Sequence, residues 1–184
     1  MSRFEEKQIS REDIFDGAVL HVVKDKILLP DGNTSFREFC LHKGAVAVIP
    51  VTDENEVILV RQFRYAHHRE FLEIPAGKFD FIGEDPLEAA KRELEEETGA
   101  RAERYIDLGI LDTTPALIDE KIHMFLAEGL SFGESHPDED EFLAVERIPL
   151  TVLVDMVMSG KIMDSKTQIA VLKLWYLREN AKNK

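Results

Sequence analysis

Residues 73–100 read EIPAGKFDFIGEDPLEAAKRELEEETGA, and the rest of the chain is arranged around them. Asp85 to Gly99 specifies a helix. Asp85 suits the N-cap, Pro86 the first turn, and Glu88 stands three residues after the cap, the capping-box spacing. Gly99 marks the stop. Leu87, Ala90 and Leu94 recur at helical spacing and form an apolar stripe. Glu93, Glu96 and Glu97 fall at i, i+3 and i+4, so their carboxylates share another face.

That acidic face is costly. Like charges at i, i+4 repel by a few tenths of a kcal/mol, and acids in the last turn oppose the helix dipole by about 0.3–1 kcal/mol each. An i, i+4 pair between Glu88 and Arg92 is expected to offset part of this. A solvated acidic surface is the ordinary outcome for such a face. Here, however, Ile74-Pro75-Ala76-Gly77 precedes the helix as an apolar strand end breaking at a glycine. It can bring a backbone carbonyl near the same carboxylates. Hard oxygens converging on one point make a site for Mg²⁺ or Mn²⁺.

The stretch resembles the Nudix box, the signature of the Nudix hydrolases. The matching residues are Gly77, Glu84, Arg92, Glu93, Leu94, Glu96, Glu97 and Gly99. The Gly77–Glu84 gap holds six residues where the pattern has five, and Ala100 replaces a larger aliphatic residue. The extra residue lies before the helix and leaves the carboxylate register intact.

A chain of 184 residues forms one domain, or one domain with a small appendage. A composition 44% hydrophobic and 32% charged fits a soluble globular protein. The formal charge of −13 argues against nucleic acid or an anionic membrane surface as the main partner. A polyanionic small substrate would need divalent cations and a few placed arginines. The single Cys40 excludes an internal disulfide, and no apolar run is long enough to cross a bilayer, so a cytoplasmic location is expected.

Taken in order, residues 1–13 read as a polar arm. Phe15–Leu29 reads as two short strands around Lys24-Asp25-Lys26, Pro30–Asn33 as a turn, and Phe36–Leu41 as the next strand. Ala45–Val51 is a continuous apolar strand, with Val57–Val60 pairing back on it as a hairpin. Phe71–Ile74 precedes the helix. Strands follow at Tyr105–Leu111, Lys121–Ala127 and from Phe142 to near Pro149, with a polar, turn-rich segment at Gly129–Asp140. Two helices close the chain, Leu150–Met158 and Ser165–Asn180, the second with Ile169, Leu172, Trp175 and Leu177 on one side. Strands, an inserted helix, more strands and terminal helices make an α+β fold. The resemblance implies a Nudix-type α/β/α sandwich over 44–184, with an additional N-terminal antiparallel sheet over 1–43.

The resemblance narrows to the ADP-ribose pyrophosphatase branch through GAVAVIPV (44–51), VRQFR (60–64), EIPAGK (73–78), Pro115, Asp119-Glu120 and DEDEF (138–142). It implies Mg²⁺-dependent hydrolysis of ADP-ribose, or a close nucleoside diphosphate sugar, to AMP and ribose 5-phosphate. It also implies a homodimer that exchanges its N-terminal sheets. Glu93 and Glu97 are then metal ligands with the Ala76 carbonyl. Glu96 is a ligand or orients one. Arg92 either pairs with Glu88 and Glu96 within the helix or orients Glu93. In the 138–142 run, which composition alone reads as a solubilising loop, Glu139 matches a catalytic base and Glu141 a further ligand, with the two roles interchangeable. Arg37, beside Glu38, matches a substrate contact reached from the partner subunit. Arg64, Lys78 and Glu120 complete the candidate substrate contacts. Ala116 departs from the branch's Ser-Pro-Gly loop. His67 and His68 read as loop residues rather than metal ligands. Rival readings are another substrate, such as a diadenosine polyphosphate or a dinucleotide cofactor, and an ADP-ribose sensor that does not cleave.

Overall fold

The computed structural model describes residues 3–136 and 142–182, with the side chain of Lys182 excepted. The chain divides into two compact units. One holds residues 1–43 together with 112–121, the other residues 44–111 and 122–184.

The first unit is built on an antiparallel sheet in the order β1 (Lys7–Asp16), β2 (His21–Leu28), β3 (Thr34–Leu41). Two expectations fail here. The polar arm is strand β1, exposed along its whole length and bulged at two points of its ladder with β2. The two short strands are one strand, β2, running through Lys24-Asp25-Lys26. The reason is an ion pair. Val23, Asp25 and Ile27 alternate inward, and Arg11 on β1 meets the buried Asp25 with two hydrogen bonds of 2.7 and 2.8 Å. A charge that should end a strand is satisfied from the neighbouring one. At the turn before β3, Leu29 N–H donates to Asn33 C=O and Gly32 N–H to Leu29 C=O.

In the second unit, β4 (Ala45–Pro50) is buried at every residue. It pairs antiparallel with β7 (Ala76–Lys78) and parallel with β9 (Lys121–Phe132), in a sheet of order β7-β4-β9-β8, where β8 is Ala100–Asp112. Its side chains alternate between two cores. Ala45, Ala47 and Ile49 join one cluster with residues of α2 (Leu150–Met158) and α3 (Ser165–Lys182). Val46 and Val48 join another with Ala89, Ala90 and Leu94 of α1 (Pro86–Thr98). Helices therefore cover both faces of this sheet, which is why the strand reads as an unbroken apolar run.

The expected hairpin does not form. β5 (Glu56–Arg64) pairs with β10 (Leu143–Pro149) and β6 (Arg69–Glu73), in a second sheet of order β10-β5-β6. An isolated bridge, Val51 to Val57, and a pair of bonds between Thr52 and Glu56 (Thr52 N–H to Glu56 C=O, Glu56 N–H to Thr52 Oγ1) link it to the end of β4. Val57 and Leu59 pack into the same core as Ala47 and Ile49, so the two strands face each other across that core instead of lying side by side. β9 also runs past its expected end into the segment read as turns. In α3 the buried residues are Thr167, Ala170, Val171 and Leu174, while Leu172 and Leu177 are exposed. Of the expected apolar face, Ile169 and Trp175 pack against the core from its edge, while Leu172 and Leu177 point away from it.

Candidate active site

Helix α1 forms as its caps dictate. The Asp85 carboxylate accepts from Leu87 and Glu88 N–H at 2.9 and 3.1 Å. Gly99 closes the helix at φ +68°, its N–H donating to Glu95 C=O. A Cβ at Gly99 would stand 2.5 Å from the Gly133 carbonyl oxygen, so both conformation and space demand glycine. Leu87 is only half-buried; Ala89 takes its place beside Ala90 and Leu94 on the packed face. The expected Glu88–Arg92 pair is absent: Glu88 pairs with Lys91 at 2.7 Å.

Arg92 turns to the acidic face instead. It binds Glu93 at 2.7 Å and Glu96 at 3.2 Å, donates to the Lys78 carbonyl at 3.3 Å, and lies 3.5 Å from both Glu84 and Asp80. One guanidinium thus serves four carboxylates. Burial disfavours its charge, but the charge of Glu93 and its hydrogen bond, followed by the charges of Asp80 and Glu84, more than offset this and raise its pKa.

Against this cluster lies the crossover from β6 to β7. The Glu93 carboxylate presses on Gly77, where a Cβ would come within 2.1–2.2 Å of it. Ala76 N–H donates to Glu97 Oε2 at 3.2 Å, and Glu97 is only 5% exposed. The structure therefore gathers Ala76, Gly77, Glu93 and Glu97, with Arg92, Glu96 and Glu84 around them. The extra residue of the 78–83 loop is absorbed outside this contact: Phe79 is buried, and Phe81 and Ile82 are exposed. Glu84 closes the loop by accepting from Asp80 N–H at 2.8 Å.

Among the described residues, no three His, Cys, Asp or Glu side chains form a closed metal cage. The buried Glu97 carboxylate and the partly buried Glu93 carboxylate beside a backbone strand, in an excess of negative charge over one arginine, still suit a hard divalent cation. Mg²⁺ is ordinarily held by one or two carboxylates plus substrate phosphates.

Arg64 is already engaged. Its Nε and Nη2 donate to Glu73 at 2.8 Å each. Glu73, 3% exposed, also binds Lys166, and Lys166 reaches Asp164 at 3.0 Å. Burial would push the Glu73 carboxyl up, but the Arg64 hydrogen bonds and the charge of Lys166 hold it down to about 2. The Arg64 pKa is raised, first by its hydrogen bonds to Glu73, with smaller contributions from the charges of Glu73, Glu97 and Asp164. Lys78 is exposed on β7. Sequence reasoning missed Glu73, Asp164, Lys166 and Thr167. Asp164 before a helical pattern was a readable cap; the pairing of residues 73 and 166 carried no spacing signal.

Arg37, Glu38 and Glu120 belong to the first unit. There Arg37 pairs with Glu6, Glu38 with Lys24 at 3.1 Å, and Glu120 accepts from Thr113 Oγ1 at 2.8 Å with His42 3.6 Å away. Glu139 and Glu141 lie outside the described residues. His67 and His68 contact Phe71 and Tyr65 rings, consistent with a loop role.

The NUDIX domain model matches residues 41–165. The methanol dehydrogenase activator of Bacillus methanolicus is 45% identical, over 98% of this chain and 98% of that protein. The ADP-ribose pyrophosphatase of Bacillus subtilis strain 168 is 44% identical over 93% of each. A crystal structure of an ADP compounds hydrolase superimposes with a TM-score of 0.85 over 98% of both chains at 22% identity, a likeness of fold. A domain match over more than half the chain and relatives similar along almost their whole length lead to one conclusion: this chain belongs to the Nudix family of hydrolases.

Proposed function

We propose that the protein hydrolyses the pyrophosphate bond of ADP-ribose to AMP and ribose 5-phosphate, as a cytoplasmic homodimer using Mg²⁺, with Mn²⁺ as a substitute. The observation that supports this most is the closure of Glu93 and Glu97 on residues 76–77, in a chain 44% identical to an ADP-ribose pyrophosphatase. Glu93, Glu97 and the Ala76 carbonyl would hold the divalent ion. When bound, the ion neutralises the diphosphate and lowers the pKa of an attacking water. Arg92 keeps the Glu93 carboxylate aimed at the site. Arg64 would meet a substrate phosphate by sharing its guanidinium between that phosphate and Glu73. Glu139 would take the proton of the water that attacks one phosphorus, and the other phosphate leaves with the bridging oxygen. Glu141 would add a ligand, and Arg37, Glu38, Lys78 and Glu120 would contact the substrate, Arg37 from the partner subunit.

A product assay across nucleoside diphosphate derivatives, in Mg²⁺ and in Mn²⁺, tests this. AMP and ribose 5-phosphate are expected, with ADP-ribose preferred, and E97Q should abolish turnover. Full activity of E97Q in excess Mg²⁺ would sink the ligand assignment. A dinucleotide cleaved in preference would move the substrate to the rival class. A second reading comes from the relative at 45% identity, a methanol dehydrogenase activator: the chain stimulates a dehydrogenase. A dehydrogenase rate unchanged by the added protein removes it.

A further inference from the structure

The link between β6 and β7, residues 74 and 75, carries the chain from one sheet to the other, and it is gripped from the start of α3. Ile74 N–H donates to Thr167 Oγ1 at 2.9 Å, a bond between residues that are 1% and 0% exposed. The Thr167 hydroxyl in turn donates to Asp164 Oδ2 at 2.5 Å, and Asp164 also accepts from Thr167 N–H at 2.9 Å. One residue earlier, Glu73 is tied to Lys166, and Lys166 is tied back to Asp164. On the far side, Val48 N–H donates to Pro75 C=O at 2.8 Å, and Ala76 N–H reaches Glu97. Four consecutive residues, 73 to 76, are thus fixed by three elements; Glu97 closes on the last of them, Ala76, and Glu93 on the next residue, Gly77.

We infer that Asp164, Lys166 and Thr167 are positioning residues of the metal centre: they clamp residues 73–74, so that Ala76 and Gly77 stand where Glu93 and Glu97 need them. This rests on the reading of Glu93, Glu97 and Ala76 as the metal site. The three positioning residues act through the residues they hold, Glu73 and Ile74. Their effect passes along the backbone through Pro75, whose φ is fixed, directly into Ala76, the first residue of the β7 ladder. Thr167 is the sharpest member. Its hydroxyl both accepts from the backbone and donates to Asp164, a two-way role that valine cannot fill and serine can.

Mn²⁺ binding, followed by the loss of its free electron paramagnetic resonance signal, tests the clamp without turnover. T167V should raise the Mn²⁺ dissociation constant by about 10- to 100-fold, the range for groups that orient metal ligands. T167S should stay within about twofold of the parent. E97Q serves as the reference for the site. If E97Q binds Mn²⁺ as tightly as the parent, the site reading fails. If E97Q loses Mn²⁺ while T167V keeps it, the clamp is refuted and the site survives. If T167V does not fold, D164N reports the same quantity, because it leaves the Ile74 bond in place and weakens the holds of Asp164 on Thr167 and on Lys166. An unchanged dissociation constant in folded D164N overturns the inference, and a rise supports it.

Discussion

Replacing Glu73 with glutamine isolates the charge of one buried carboxylate. Glu73 is 3% exposed and binds both Arg64 and Lys166. Burial alone would raise its pKa; the Arg64 hydrogen bonds and then the charge of Lys166 reverse that, from 4.5 down to about 2. A carboxylate depressed in the folded state stabilises above its unfolded pKa and loses that stabilisation as pH falls toward the folded value. The depression corresponds to about 3 kcal/mol at pH 7, of which about 1–1.5 kcal/mol is gone by pH 3.5. E73Q also takes the carboxylate from Arg64 and leaves Lys166 to Asp164 alone, so its full cost at pH 7 is about 3–5 kcal/mol. Urea unfolding followed by circular dichroism should show the midpoint falling by about 1–2 M at pH 7. The gap between parent and E73Q should then narrow between pH 5 and pH 3.5. A gap of the same size at both ends of that range refutes the reasoning, since it would mean that shape, not charge, is what Glu73 supplies.

G77A places a Cβ where the Glu93 carboxylate now lies. That obstacle is the tip of a side chain and can swing aside, so the fold should survive while hydrolysis falls about 10- to 100-fold; a fully active, folded G77A would remove Glu93 from the site. G99A meets a backbone oxygen in a left-handed conformation, and should cost about 1–3 kcal/mol, read as a lower melting temperature in calorimetry. E139Q should lower kcat by about 10²–10⁴-fold, and an unaffected E139Q beside a dead E141Q would exchange their roles.

What could be read in advance followed from how local its cause was. Helix α1 was legible because its cap, first turn and stop are neighbours in sequence: Asp85 bonds to residues 87 and 88. β4 was legible because burial on both faces leaves no polar position to interrupt it. β1 was not, because its residues are exposed and its hold comes from β2 and the Arg11–Asp25 pair. The hairpin failed because hydrophobicity says that β4 and β5 share a core, not whether they share a ladder. At the site, the approach of residues 76–77 to the carboxylates was readable from helical spacing and a glycine break, although the group that meets Glu97 is the Ala76 N–H where a carbonyl was expected. The partner that Arg64 actually takes, and the tie from Glu73 to Lys166 across 93 residues, were not. Charge pairing between distant elements leaves no period to detect.

Residues 112–121 fall in the same compact unit as residues 1–43. Cys40 N–H donates to Leu117 C=O, Asp119 N–H donates to Cys40 C=O, and His42 N–H donates to the Asp119 carboxylate. The module is discontinuous in the gene, and that bears on recombination. A single crossover near codon 44 between two family members would join one parent's first sheet to the other parent's 112–121 segment. The backbone pairing could persist, since it needs only peptide groups, but the cap on His42 needs the acid at 119. Chimaeras that move both stretches as one cassette should express and fold where single-crossover chimaeras fail.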